Sequence, residues 1–200
     1  MKDVPISYQE AREQGQQVLM DTLLRLATNV IVNEGAAALS MRKLAQMAGC
    51  STTVLYNLFG AKNGIIDALF VDGFRRLETA HAALPVSADP LQRILDLCLA
   101  YRQVALMYPT HYAIMFGNAV PDYTPSDASK QFALKAMQPL QEAVAAAMEA
   151  TALNNPSAAE MAMMVWSVAH GFVSLELAAM FPHPERTEAM YVAALKRILR

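Results

Sequence analysis

Between Ser40 and Gly60 the chain is punctuated twice by the same device: a serine, a run of eight residues with apolar side chains at helical spacing, and a glycine. A serine hydroxyl can accept from the free N–H groups that open a helix, and a glycine readily ends one. Ser40 to Gly49 therefore reads as one short helix with Met41, Leu44, Ala45 and Ala48 inward, and Ser51 to Gly60 as another with Val54, Leu55 and Leu58 inward and Phe59 in the core. A helix-turn-helix needs a small residue where its helices cross, a glycine able to take positive φ in the turn, and an apolar plug on the second helix. Ala45, Gly49 and Leu55 stand at those relative positions, 0, +4 and +10.

The rest of the chain predicts helices as well. Val18, Leu19, Leu23, Leu26, Ala27, Val30 and Ile31 step by three and four, giving an amphipathic helix over about 9–33. Lys62 opens a longer helix through His81, with Ile65, Ile66, Leu69, Phe70 and Phe74 on one side. Gly64, early in that helix, is a poor helix former and costs roughly 1 kcal/mol relative to Ala. After a proline-bounded linker at 85–90, helices are expected at 91–108, stopped by Pro109, and at 111–116. A loop over 117–127 follows, then a helix over 128–152 kinked or restarted at Pro139, and two more at 157–181 and 184–199. No segment alternates apolar and polar residues as a half-buried strand does. The expected fold is all-α, of about nine helices: a helix-turn-helix domain over 1–66, a connecting helix over 62–82, and a bundle over 83–200.

A chain with 54% hydrophobic and 17% charged residues is globular rather than disordered. Its net charge of −2 does not suggest a polyanion partner, but the sum hides a local pattern. From Gly35 to Ile66 there are three basic residues, Arg42, Lys43 and Lys62, and no acid; Glu34 and Asp67 bracket the window. Cys50 and Cys98 are far apart, which argues against a disulfide framework or a cysteine zinc site. The N-terminus lacks an apolar signal region, and the most apolar span, 161–175, is too short for a membrane helix of about 20 residues. A cytoplasmic protein without membrane contact is expected. His81, His111, His170 and His183 form no metal-ligand spacing, no nucleophile motif is present, and neither catalysis nor a metal or cofactor is expected.

Ser40-Met41-Arg42-Lys43-Leu44-Ala45, then Gly49-Cys50-Ser51, then Leu55-Tyr56-x-x-Phe59-x-x-Lys62, resembles the DNA-binding domain of TetR/AcrR-type transcriptional regulators over roughly 23–70. Trp166-Ser167-Val168-Ala169-His170-Gly171 is similar to the Trp-His-Gly signature of one C-terminal subgroup, and the stretch from Tyr108 to Gly117 resembles that subgroup's central region more loosely. The resemblance implies that the third helix enters the major groove of an operator. Thr52 and Thr53 would meet base edges or thymine methyls, Asn57 can pair an adenine, and Arg42 matches a position that can reach a guanine. Tyr56 and Lys62 would hold phosphates, and Ser51 would cap the helix and secondarily donate to a phosphate. The blander alternatives are that Tyr56 packs and that Lys43 is a solvated surface lysine.

In the C-terminal half Met163, Trp166 and His170 share a helical face with Ser174 next, and Tyr101, Tyr108, Tyr112, Met115 and Phe116 come from neighbouring helices. Such a set is either ordinary core or an adaptable apolar pocket, and the resemblance favours a small apolar or aromatic effector bound there. The whole reads as a ligand-responsive repressor that binds a palindrome-like operator as a homodimer. The alternative is a helical small-molecule or interaction module that has lost operator binding. Val165, Ala169, Phe172, Ala179, Met190, Ala194 and Leu195 on the last two helices are the expected dimer face, with Gly171 permitting close approach.

Overall fold

The computed structural model describes residues 7–117, 119–121, 123–151 and 157–199, and the described residues contain helices and no strand. The helices are α1 (Tyr8–Glu34), α2 (Met41–Ala48), α3 (Thr52–Phe59), α4 (Lys62–Ala82), α5 (Pro90–Met107), α6 (Pro109–Phe116), α7 (Asp127–Ala136), α8 (Gln138–Thr151), α9 (Ala158–Leu177) and α10 (Thr187–Ile198). Short 3₁₀ turns at Ala36–Ala38 and Pro184–Arg186 precede α2 and α10. Backbone proximity divides the chain into two units, one of residues 1–70 with 113–126 and the other of residues 71–112 with 127–200. The first boundary falls inside α4.

In the first unit α1 packs on α2, and α2 on α3. Leu23, Leu24, Ala27 and Val30 of α1, Leu44 and Ala45 of α2, Leu55 of α3 and Ile65, Ile66 and Leu69 of α4 form its buried core. The first turns of α1 lie outside that core, and Val18 is exposed. A capping box between Ser7 and Glu10 starts this helix instead: Ser7 N donates to Glu10 Oε2 at 2.7 Å. Asp67 anchors the segment between α6 and α7, accepting from Tyr123 Oη at 2.8 Å, Ser126 N at 3.0 Å and Ser126 Oγ at 2.9 Å.

The second unit is a bundle in which α5 packs on α8 and α9, and α9 on α8 and α10. Pro109 opens α6 rather than merely stopping α5, because proline lacks only an N–H that the first helical turn leaves unpaired. The helix expected over 128–152 restarts: Met137 is a one-residue break, and Pro139 sits in the first turn of α8. Residue 152 lies outside the described residues. A capping box, Ser157 with Glu160, starts α9. The helix ends at Leu177, earlier than the expected 181, because Ala179 turns left-handed (φ 53) and Met180 N closes on Leu175 O at 3.0 Å.

Two polar links tie this bundle. Arg102 of α5 is buried and donates from Nε and Nη2 to both oxygens of Glu176 on α9, each at 2.7 Å, and from Nη1 to Glu188 on α10 at 2.7 Å. Tyr191 of α10 is wholly buried and donates to the carbonyl of Cys98 at 2.7 Å. By length and composition alone α9 could cross a membrane, but it carries Glu160 and Glu176 near its ends and turns Val165, Ala169 and Val173 into the bundle core.

Candidate nucleic-acid interface and effector cavity

Ser40 and Gly49 bound α2 as its punctuation predicts. Ser40 Oγ accepts from Lys43 N at 3.2 Å, Gly49 adopts the left-handed conformation (φ 66), and Cys50 N returns to Ala45 O at 3.0 Å. Leu55 is fully buried between the helices, while Val54, Leu58 and Phe59 are only half-buried. Phe59 is therefore not the core residue its place in the motif suggested. A helix of eight residues gives the core one full plug and leaves its flanks shared with solvent.

That geometry leaves Thr53, Tyr56 and Asn57 exposed and Thr52 half-buried, so α3 offers solvent a face without an acidic side chain. Tyr56 is 53% exposed, which favours a reaching hydroxyl over a packing role. Arg42 is exposed on α2. Ser51 holds the N-cap position of α3, but its hydroxyl makes no capping bond, contrary to expectation, and stays turned to solvent. Lys43 and Lys62 are not the free charges that the acid-free window suggested. Lys43 is ion-paired with Glu34 from the end of α1, and Lys62 Nζ donates to the carbonyl of Ala36 at 2.9 Å. The acid that brackets the window in sequence folds back onto it.

Gly64 also departs from expectation. A Cβ built there would lie 1.8 Å from the carbonyl oxygen of Phe59 and 2.8 Å from its carbon. The absent side chain is a condition of the α3–α4 turn rather than a lapse in helix propensity.

Family profiles match both halves: "Bacterial regulatory proteins, tetR family" over residues 23–69, and "Tetracyclin repressor-like, C-terminal domain" over residues 94–198. The chain belongs to the TetR family. TetR-family proteins are transcriptional regulators and not enzymes. The chain is 26% identical over 141 residues to the HTH-type transcriptional regulator Mb1846 of Mycobacterium bovis, a match covering 68% of this chain and 58% of that protein. It thus spans a little over half the length of the curated relatives it matches. Among solved structures it is similar to the regulatory protein SCO4313, with 27% identity, a TM-score of 0.76, and 94% of this chain and 98% of that one covered. A protein from Rhodococcus sp. RHA1 gives 26% identity and a TM-score of 0.76 over 91% of this chain and 94% of that one.

The aromatic residues proposed from this TetR-family sequence as one effector lining are distributed over several environments. Tyr101 and Tyr112 converge on His170, their hydroxyls 3.0 and 2.9 Å from its Nδ1, and Tyr112 Oη lies 2.9 Å from Ser174 Oγ. Tyr112 stacks on His170 with ring centroids 5.5 Å apart, and Trp166 lies tilted against the same imidazole at 5.2 Å. Burial holds His170 below the usual histidine range, so its ring is neutral and hydrogen-bonded. Tyr108 instead lies under the Arg76 guanidinium, 4.2 Å from the ring centroid, and edge-on to His111. His111 Nε2 approaches Asp72 Oδ2 at 3.1 Å. Burial pushes the Asp72 carboxyl up, but His111 and Arg76 outweigh it and hold it below its ordinary value. Met163 is 57% exposed, and Met115 and Phe116 are half-buried in the first unit.

The second unit does contain an apolar cavity, with about 20 Å³ in which the centre of a water molecule can move. Leu77 and His81 of α4, Leu97 and Tyr101 of α5, Met137 at the α7–α8 break and Trp166 of α9 form its walls. Only Tyr101 and Trp166 come from the expected set. His81 was missed because a lone histidine carries no sequence signal, although its i,i+4 relation to Leu77 places both on one face of α4.

Proposed function

We propose that this chain is an operator-binding repressor that acts as a homodimer in the cytoplasm and is released by a small apolar effector. The observation that carries the reading is the outer face of α3, where Thr53, Tyr56 and Asn57 stand exposed with no carboxylate, beside the exposed Arg42 of α2. A recognition helix presents such groups to base edges, while hydroxyls and amines at its flanks hold phosphates. Thr52, Thr53, Asn57 and Arg42 are assigned to bases, and Ser51, Tyr56 and Lys62 to phosphates. Lys62 can serve because its ammonium has three protons and spends one on Ala36 O. Lys43 is given only an auxiliary role, since Glu34 neutralises it.

One helix of eight residues reads few bases, and a two-fold dimer doubles the address on a palindrome-like site with half-sites about 34 Å apart. The dimer face needs revision from the sequence reading, because Val165, Ala169 and Leu195 are buried in the chain's own core. Ala179 and Met190 of the expected set are exposed, and so are Met164 and Leu175 of α9, which were not in it. A Cβ added at Gly171 meets no heavy atom within 4 Å, so a partner helix can approach closely there.

Release follows from linkage: an effector that binds the DNA-free form tenfold better contributes about 1.4 kcal/mol per site against operator binding. Leu77 and His81 bring the cavity to α4, the helix that begins beside the DNA-facing turn. Gel shift with the DNA flanking the chain's own gene tests the central reading. Arg42→Ala should lose roughly 1–3 kcal/mol and relax preference at one base pair, and Lys62→Ala should weaken operator binding and flatten the salt dependence. If neither variant differs from wild type, these roles are wrong.

A further inference from the structure

Two of the three cations in the acid-free window are spent inside the chain, and both on one short segment. Lys43 pairs with Glu34, the last residue of α1, and Lys62 Nζ donates to the carbonyl of Ala36, two residues further on, at 2.9 Å. Two residues of chain span at most about 7 Å, so both lysines converge on one corner, and Glu34 brings a carboxylate to it. Arg42 stands exposed beside Lys43 in the first turn of α2.

The carboxylate does nothing for the helix that carries it. The last carbonyls of a helix are its negative end, where an acid is disfavoured, and α1 has no basic residue in its last turn to offset Glu34. Nor is the pair needed to hold α1 on α2, whose buried Ala27, Val30, Leu44 and Ala45 already belong to one core. An ion pair with side chains 50% and 31% exposed adds little to such a contact. What Glu34 does have is access to solvent at the margin of the DNA-facing helices. A phosphate that approaches Lys43 meets the Glu34 carboxylate with it, and the pair offers that phosphate no net charge.

We propose that Glu34 is an affinity-limiting residue: by neutralising Lys43 it withholds one phosphate contact and so restrains binding to DNA of any sequence. The proposal rests on the operator-binding reading above and adds a residue that sets how far specific binding stands above the background. Sequence-independent binding is almost wholly electrostatic, whereas an operator complex also draws on base contacts. One phosphate contact steepens the salt dependence by about 0.9 in log–log slope, which amounts to about eightfold in affinity between 1 M and 0.1 M salt. A carboxylate that removes such a contact therefore acts most strongly on random DNA, and it leaves Arg42 and the outer face of α3 to discriminate.

Binding is measured by fluorescence anisotropy on the DNA flanking the chain's own gene and on a random duplex of equal length, between about 0.1 and 1 M salt. Glu34→Gln should tighten the random duplex about eightfold at about 0.1 M salt, tighten the flanking DNA no more than that, and lose the gain by about 1 M. Lys43→Gln should weaken both DNAs, and the double variant, in which neither charge is left, should return to wild type. The melting temperature of Glu34→Gln should stay at the wild-type value, since a half-exposed pair holds little and α1 is relieved of an acid at its negative end. A Glu34→Gln protein that binds more weakly than wild type would mean that Glu34 orients Lys43 or ties α1 to α2, and it would overturn the proposal. So would a gain that survives in about 1 M salt, a gain larger on the flanking DNA than on the random duplex, or a double variant that keeps the gain. If wild type binds the flanking DNA and Glu34→Gln changes nothing, the operator reading stands and this one falls. If wild type binds neither DNA, the operator reading falls and this one with it.

Discussion

Replacing Gly64 by alanine separates two opposed physical expectations. On helix propensity alone the change stabilises α4 by about 1 kcal/mol. The three-dimensional arrangement reverses the sign. The new Cβ would stand 1.8 Å from the Phe59 carbonyl oxygen, and even a separation of 3.0 Å requires the turn or the helix start to move by 1.2 Å. The obstructing atoms are backbone, so no rotamer change relieves the overlap. Forcing a carbon into an occupied site costs about 1–3 kcal/mol. After the propensity gain of about 1 kcal/mol, a net destabilisation of up to about 2 kcal/mol is left, or a fall of up to about 8 °C in melting temperature for a chain of this size.

The matched control is Gly15→Ala. Gly15 lies within α1, is exposed, and has no heavy atom within 4 Å of a built Cβ. It should gain up to about 1 kcal/mol from propensity and nothing else. Thermal unfolding of both variants beside wild type gives the test, and operator affinity supplies a second readout. Gly64→Ala should weaken DNA binding, because the turn it displaces carries Lys62 two residues away. A Gly64→Ala protein as stable as Gly15→Ala would refute the reasoning.

Gly171→Leu should leave the monomer's helical content and unfolding intact, since a Cβ there meets no heavy atom within 4 Å, while converting the proposed dimer to monomer by light scattering at micromolar concentration. Arg102→Ala should destabilise by about 3 kcal/mol, because it strands the mostly buried Glu176 carboxylate, and the double replacement of Arg102 and Glu176 by leucine should recover much of the loss in chemical denaturation. Between pH 4 and 6.5 stability should rise with pH, because the unfolded His81 takes a proton there that the folded one refuses; the difference amounts to about 3 kcal/mol, and His81→Leu should flatten that slope.

Most of the fold was legible because its punctuation is local. Ser40, Gly49, Ser157 and Pro139 act on their own turns of backbone, and a serine before a helix or a proline within one has the same consequence in many folds. The inward faces of α2 and α4 were legible for a similar reason, since apolar spacing of three and four is a property of the helix itself. The candidate site was less so. Lys43 meets Glu34 across a loop, Arg102 meets Glu176 and Glu188 from distant helices, and His81 borders a cavity closed by Trp166, far away in the chain. A charge count along a window cannot tell which acid folds back on it, and an aromatic stripe cannot tell a hydrogen-bonded cluster from a pocket wall.

The two departures near the recognition helix share a cause. Gly64 is required because the α4 backbone passes close to the last carbonyl of α3, and Lys62 turns its ammonium to Ala36 because the start of α4 lies beside the 3₁₀ turn that precedes α2. Both contacts fix where α3 ends relative to α2. A recognition helix two turns long has little buried surface of its own, with Leu55 its one fully buried side chain, so its direction depends on such contacts at its ends. If they set the angle at which Tyr56 and Asn57 reach out, shifting either contact should weaken specific and non-specific DNA binding unequally. A base-reading hydrogen bond depends on placement within a fraction of an ångström, whereas a phosphate contact tolerates more. Lys62→Met, which deletes the Ala36 bond and the charge together, should therefore lose more affinity for the operator than for random DNA of equal length. Equal loss on both would mean that Lys62 serves phosphate alone and that the turn is held by other means.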